Sequence, residues 1–106
     1  MNTSSFIHEI LEEKKAQRIL VLNMGSSALH EHIIICETSN LRHLFALRDD
    51  VLEALKIHKI EVHHTEGKKN SHWLLIDVYD VCCHIFLDEA RDYYQLEALW
   101  ADKVMR

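Results

Sequence analysis

The residues of this chain that could carry chemistry are mainly histidines, cysteines and aspartates. The chain has nine histidines and three cysteines, and Cys82, Cys83 and His84 are consecutive. These residue types are the usual ligands of zinc. On a strand, however, neighbouring side chains point to opposite faces and cannot converge on one ion, and the same holds for His63 and His64. The sequence also lacks a Cys-x-x-Cys or His-Glu-x-x-His motif, so we predict no metal site.

A catalytic site would need carboxylates, or a nucleophile with its base. Asp77 and Asp80 could form a carboxylate pair, but Asp80 suits a turn, and nothing near them in sequence resembles a nucleophile with a base. The Gly-Ser-Ser sequence at residues 25–27 resembles the Gly-Ser of nucleotidyltransferases. Residues 30–32, however, offer His-Glu-His where such an enzyme needs paired aspartates for Mg²⁺. We therefore expect no enzymatic activity, no catalytic residue and no cofactor.

A predicted β-hairpin over residues 73–86 positions the aspartates and His84. Two runs rich in β-branched and aromatic residues flank a Tyr79-Asp80 step, without proline. A two-residue loop would pair Val78 with Val81 and Trp73 with Phe86, and successive pairs would face opposite sides. Tight loops usually need a positive φ, which Tyr79 does not adopt easily, so a longer loop that shifts the parity by one remains an alternative. With the two-residue loop, one face is apolar throughout: Leu74, Ile76, Val78, Val81, Cys83 and Ile85.

The second face of the hairpin mixes aromatic bulk with polar groups. Its members are Trp73, Leu75, Asp77, Cys82, His84 and Phe86. Such a mixture is more typical of a protein-binding surface than of a buried sheet surface. For Trp73, a core role and an interface role are both open.

The rest of the chain predicts a mixed α/β fold. The element order α-β-β-α-β-β-β-α implies a mixed sheet of about five strands flanked by helices. Besides the hairpin, strands are predicted at about residues 18–24, 30–36 and 60–64. A first helix is capped by Ser4 or Ser5, and a second helix is capped within residues 38–40 and ends near Lys56. A terminal helix begins at Asp88 and contains Tyr94, Leu96, Leu99, Trp100 and Val104.

Length and composition favour one globular domain over residues 1–106. Hydrophobic residues make up 48% and charged residues 27%, which are ordinary values for a folded domain. Apolar runs are of strand length, far short of the ~20 residues of a membrane span, and no signal peptide is visible, so we expect a cytoplasmic protein. The net charge of -5, from 17 acidic and 12 basic residues, argues against direct nucleic-acid binding and favours docking on a protein.

Several short motifs follow one another along the chain after the first helix. They are Ser26-Ser27, Thr38-Ser39-Asn40, Glu66-Gly67, Trp73-x-x-x-Asp77-x-x-Asp80-Val-x-x-His84 and Glu89-x-Arg91-x-x-Tyr94-x-Leu96-Glu97-x-Leu99-Trp100. Together these motifs resemble the ribosomal silencing factors, also called Iojap-related proteins. The resemblance covers nearly the whole chain after the first helix, and the order and spacing of the motifs make it specific.

The resemblance implies a nucleotidyltransferase-like shape without catalytic residues, and a homodimer when free. It implies binding to ribosomal protein L-fourteen on the large ribosomal subunit, which sterically blocks the small subunit and represses translation under nutrient limitation. The partner-binding residues that it implies are Trp73, Asp77, Asp80 and His84. Two alternatives remain: a large-subunit assembly factor, and a degenerate nucleotidyltransferase-type enzyme.

The chain departs from the family pattern at several positions. Members usually carry Gly at the position of Tyr79, Asp at that of His30 and Gly at that of Glu37, and one residue fewer between Asn40 and Val51. The turn at Tyr79 and the start of the second helix are therefore expected to differ locally from other members.

Overall fold

The fold is a single mixed sheet with helices α1 and α2 packed on it. A computed structural model describes residues 2–68 and 70–90, and the backbone of residues 104 and 105. In chain order the elements are α1 (Thr3–Glu13), β1 (Gln17–Asn23), β2 (His32–Thr38), α2 (Leu41–Ile57), β3 (His64–Glu66), β4 (Trp73–Asp77), β5 (Val81–Leu87) and β6 (Val104–Met105).

The strands of the described residues form one six-stranded sheet in the order β3-β4-β5-β2-β1-β6. Strands β2 and β5 are parallel, whereas the other neighbouring pairs are antiparallel. The mixed α/β fold predicted from the sequence is confirmed. The two-residue strand β6 adds one strand to the expected five.

The main core lies between the two helices and one face of the sheet. Helix α2 has an apolar stripe at helical spacing, and its members Leu44, Leu47, Val51 and Leu55 are fully buried. Leu41, the first residue of α2, is 43% exposed. The predicted apolar face of the hairpin packs against the helices, because all six of its members belong to this core. Burying each such aliphatic side chain stabilises the fold by about 1.5–3 kcal/mol.

Asparagine caps both helices. The Asn40 side chain accepts hydrogen bonds from the backbone N–H groups of Arg42 and His43 at 2.8 and 3.2 Å, within the predicted cap region of α2. The cap of α1 is Asn2, whose Oδ1 accepts from the N–H of Ser5 at 2.8 Å. The prediction of Ser4 or Ser5 was wrong because Ser4 lies inside the helix, where its hydroxyl donates to the same Asn2 oxygen at 2.9 Å.

A second, smaller core cluster lies on the opposite face of the sheet. Leu22, Ile33 and Ile35 from β1 and β2 meet Phe86 from β5, and Phe86 is fully buried. The parallel pairing of β2 with β5 brings these side chains together, because residues paired directly across strands share a face. This cluster limits how much of the second hairpin face is open.

Glu37, at a position where family members usually carry glycine, is buried and forms an ion pair with Arg18. Only 5% of the residue is exposed, and its carboxylate lies 3.0 Å from Arg18 Nη1. Strand β1 has a register irregularity between Gln17 and Leu20, where Arg18 has a positive φ of 49°. A bulge of this kind redirects a side chain locally, and here it accompanies the ion pair across β1 and β2.

Two predicted elements differ in position. The strand expected at about residues 60–64 is β3 at His64–Glu66, because Ile60 and Val62 pack against the main core without joining a strand ladder. Val104, predicted in the terminal helix, lies in β6 opposite Leu22. Residues 88–90 are helical, while Tyr94, Leu96, Leu99 and Trp100 lie outside the described residues. Neither described helix is long and apolar enough to cross a membrane.

Candidate functional site

The hairpin has the two-residue loop and not the longer alternative. Trp73 pairs with Phe86, and Asp77 pairs with Cys82, in the expected register. The N–H of Val78 donates to the carbonyl of Val81 at 2.9 Å, which closes the loop. The assignment of side chains to the two faces is therefore confirmed, and it places Asp77 at the tip of the hairpin and Trp73 at its base.

Tyr79 occupies the left-handed region at this turn, with a φ of 76°. Its backbone N–H donates to Asp77 Oδ1 at 2.8 Å, and its ring packs edge-on against His63 at 4.9 Å. A hydrogen bond to Glu61, together with burial and the charges of Glu61 and Asp77, raises the pKa of Tyr79, so the hydroxyl remains a proton donor to that carboxylate. These contacts hold a conformation that is costly for a residue other than glycine.

At the base of the hairpin, Trp73 and His84 form one hydrogen-bonded unit. Trp73 Nε1 donates to His84 Nδ1 at 3.0 Å, and His84 Nε2 lies 3.4 Å from Cys82 Sγ. Because an indole N–H can only donate, Nδ1 of His84 must be the acceptor and its proton must sit on Nε2. The Trp73 ring also stacks on Phe86 with ring centroids 5.0 Å apart.

His84 is a buried neutral base, and only 8% of it is exposed. Burial, followed by the charge of His30, lowers the pKa of His84 to about 4, although Glu66 opposes the shift. The neighbouring thiol is also neutral, because burial and the charges of Asp77, Cys83 and Glu66 raise the pKa of Cys82 to about 12. His84 therefore orients the Trp73 indole and offers little surface of its own.

At the tip of the hairpin, several groups converge on Asp77, whose side chain is 11% exposed. Asp77 Oδ2 lies 3.1 Å from His30 Nε2, 3.7 Å from His63 Nδ1 and 3.6 Å from His64 Nδ1. Burial alone would raise the pKa of Asp77. Hydrogen bonds from the Tyr79 backbone and His30, with the charges of His30 and His63, outweigh burial and lower it. Asp77 is therefore a carboxylate surrounded by imidazoles.

Asp80 is exposed beside this cluster. With Asp77 and Tyr79 it lines a shallow depression of about 400 Å³, whose other walls are Leu29, His30 and His63. The Leu29 side chain is 87% exposed at this rim. The depression combines an acidic edge with apolar and aromatic atoms, which is a composition that suits contact with another protein.

The predicted partner-binding residues therefore fall into two groups. Asp77 and Asp80 lie together at the tip, and Trp73 and His84 lie together at the base. The second hairpin face is less open than alternation alone suggested, because Phe86 belongs to the second core cluster. The surface that remains is formed by Trp73 and Leu75, which are partly buried, and by exposed Tyr79 and Asp80.

Sequence reasoning missed the convergence of His63 with His64. We expected their side chains to diverge, but His63 precedes β3 and is free of strand alternation. Their Nδ1 atoms lie 2.8 Å apart, and β3 pairs His64 directly with Asp77. Three potential ligand atoms of these residues lie within 4.8 Å of one another. The geometric reason for excluding a metal here was thus wrong, whereas alternation does separate Cys83 from Cys82 and His84.

The architecture defines a known class of small mixed α/β proteins. A crystal structure of a Chromobacterium violaceum protein superimposes with a TM-score of 0.86 at 32% sequence identity, covering 92% of this chain and 82% of that one. The family model described as "Ribosomal silencing factor during starvation" matches residues 2–106. The chain belongs to the ribosomal silencing factor family.

Individual relatives agree with this assignment. A protein of Halalkalibacterium halodurans named ribosomal silencing factor is 33% identical over 93 residues, which is 87% of this chain and 80% of that protein. A mouse protein named "Mitochondrial assembly of ribosomal large subunit protein 1" is 27% identical over 95 residues, which is 86% of this chain and 42% of the mouse protein.

Proposed function

We propose that this chain silences ribosomes by binding the large ribosomal subunit through ribosomal protein L-fourteen and blocking association with the small subunit. The family match over residues 2–106 carries the proposal, and the family description links silencing to starvation. Translation would then be repressed under nutrient limitation. Steric exclusion needs a surface and no chemical step, so the proposed protein is not an enzyme and needs no cofactor.

The proposed docking surface runs along the hairpin from Trp73 to Asp80. Asp80 is an exposed acid at the tip, and the net charge of the chain is -5, so this end suits basic groups on a ribosomal protein. Trp73 supplies an aromatic anchor. His84 contributes by holding the Trp73 indole, and Asp77 by holding the turn through Tyr79.

The proposal has further parts that follow from the resemblance. Residues 1–106 act as one ribosomal silencing factor domain, the free protein is a homodimer, and it works in the cytoplasm. Direct nucleic-acid readout is not part of the mechanism, because acidic residues outnumber basic ones by 17 to 12.

Binding to purified subunits tests the surface. The protein is mixed with separated large subunits and sedimented, and the small subunit is then added to measure formation of the joined particle. Trp73→Ala should weaken binding at least about tenfold, as expected when an aromatic anchor is lost. Asp80→Lys should weaken binding and make it less sensitive to salt. Glu53→Lys, at an exposed position of α2 on the helix side of the sheet, is the matched charge-reversal control.

The outcomes separate the surface from the mechanism. If Trp73→Ala and Asp80→Lys both bind large subunits as tightly as the wild-type chain and the Glu53→Lys control do, the hairpin is not the docking surface. If the wild-type chain binds and the joined particle still forms in full, steric blocking is wrong. Circular dichroism and thermal unfolding show that each variant is folded.

An assembly role is the second candidate, and the mouse relative named for assembly of the ribosomal large subunit favours it. Cells that lack an assembly factor should accumulate large-subunit precursors during rapid growth. Cells that lack a silencing factor should instead have normal subunits and an excess of joined ribosomes in starvation. Turnover of nucleotides with Mg²⁺ by the purified protein would favour the remaining alternative, a degenerate nucleotidyltransferase-type enzyme.

A further inference from the structure

The histidines at the hairpin tip have an arrangement that ribosome docking does not require. His63 Nδ1 and His64 Nδ1 lie 2.8 Å apart, and they lie 3.7 and 3.6 Å from Asp77 Oδ2. Two imidazole nitrogens at such a distance need a shared proton or a cation between them, since their lone pairs otherwise repel. We propose that His63, His64 and Asp77 bind one zinc ion.

The spacing of the three atoms suits tetrahedral coordination. Zinc–nitrogen and zinc–oxygen bonds of about 2.0–2.2 Å place neighbouring ligand atoms of a tetrahedron about 3.3 Å apart. The observed separations of 2.8, 3.6 and 3.7 Å lie on both sides of that value. Small adjustments of exposed rings would therefore complete the site, because the side chains of His63 and His64 are 52% and 40% exposed.

Contacts behind the ligands already orient them. His64 Nε2 lies 2.9 Å from Glu66 Oε2, which is the carboxylate–histidine pairing that commonly fixes a metal-binding imidazole. Asp77 Oδ1 accepts the N–H of Tyr79 at 2.8 Å, which leaves Oδ2 directed at the histidines. The His63 ring packs against Tyr79 at 4.9 Å. Each of the three ligands thus has its own supporting contact.

The donor set determines the class of ion. Two imidazoles and one carboxylate suit zinc and its transition-metal neighbours, whereas Mg²⁺ and Ca²⁺ prefer oxygen ligands. Three protein ligands leave one coordination position. The site opens into the depression that His30, His63 and Asp80 line, so a water molecule or a side chain of a binding partner can fill that position.

Metal titration of the purified full chain tests this site. The chain is treated with chelator and dialysed, then titrated with Zn²⁺ by calorimetry and with Co²⁺ by visible absorption. We expect one ion per chain and a tetrahedral Co²⁺ spectrum without thiolate charge transfer. His63→Gln and His64→Gln should each weaken binding more than tenfold, and Glu66→Gln about tenfold. His72→Gln, at an exposed position before β4, should leave the affinity unchanged.

Three results would overturn the proposal. They are the absence of Zn²⁺ binding by the wild-type chain, binding that persists in the doubly substituted His63→Gln, His64→Gln chain, and a thiolate charge-transfer band that disappears in Cys82→Ser. Unfolding curves recorded without metal must agree for the variants and the wild-type chain, so that lost affinity is not lost folding. The site does not depend on the proposed ribosomal function, because the assay contains no ribosome.

Discussion

Protonation of His84 should destabilise the folded chain, because its imidazole is buried as a neutral hydrogen-bond acceptor. Burial, with the charge of His30, lowers the pKa of His84 from 6.5 to about 4. In the unfolded chain the same group titrates near its ordinary pKa. The unfolded state therefore binds a proton more readily, so the stabilisation is complete above that ordinary pKa and is lost as the pH falls toward the folded value.

The size of the effect follows from the two pKa values. A pKa that moves from 6.5 to about 4 corresponds to about 3 kcal/mol once the group is fully protonated, at about 1.4 kcal/mol for each pH unit. At about pH 5 the folded His84 is still mostly neutral while the unfolded one is charged, and the loss is then about 2 kcal/mol. This is a large part of the stability of a small domain.

Urea denaturation of two proteins over a range of pH isolates this contribution. The glutamine of His84→Gln can accept from Trp73 Nε1 and does not titrate. The histidines that do not interact with His84 are common to both chains, so their contributions cancel in the difference between the free energies of unfolding. Lowering the pH from about 8 to about 5 should therefore reduce the free energy of unfolding of the wild-type chain by about 2 kcal/mol more than that of the variant. A difference that stays constant over this range would refute the buried neutral state of His84.

Three further substitutions should change stability in the same denaturation assay. Gly67→Ala should cost well over about 1 kcal/mol, because φ is +119° and a Cβ would overlap the Leu74 side chain and lie 3.2 Å from the Trp73 carbonyl oxygen. Gly25→Ala, with φ of +95° and no atom within 4 Å of its Cβ, should cost only the strain, and equal losses would contradict the clash. Asn40→Ala should cost about 1 kcal/mol by removing the cap of α2, and Asn40→Asp should restore most of it. Phe86→Ala should cost about 3–5 kcal/mol, since Phe86 is fully buried; a loss below about 1 kcal/mol would show that the second core cluster contributes little.

With a two-residue loop, the register of the hairpin was predictable because it places six apolar side chains on one face that can meet a single core. A shift of one residue would have exposed Leu74 and Ile76, which are fully buried. Because Tyr79 is an unfavourable turn residue, the sequence left a longer loop open, and the burial of the whole apolar face against the helices accompanies the two-residue loop. Local contacts from Asp77 and His63 then hold Tyr79 at its positive φ.

The features that the sequence did not predict depend on distant parts of the chain. Alternation assigns Phe86 to a face, but the burial of that face depends on Ile33 and Ile35, which β2 brings beside β5. The rings of His63 and His64 meet because the first of them lies before β3 begins. A single-sequence pattern contains no information about which loop lies against which strand end, so the histidine cluster was not visible in it.

Asp77 connects the turn, the histidine cluster and the proposed docking surface, and this determines which substitutions are informative. Its Oδ1 holds the Tyr79 N–H at 2.8 Å, while its Oδ2 lies 3.1 Å from His30. A charge reversal at Asp77 would therefore disturb the turn and the cluster together, and a loss of ribosome binding could not be assigned to a lost contact. Asp80 is exposed at the same tip and makes no side-chain hydrogen bond among those found for the described residues. Substitution there tests docking alone, whereas substitution of His64 tests metal binding and leaves the contacts of Asp77 with Tyr79 and His30 in place.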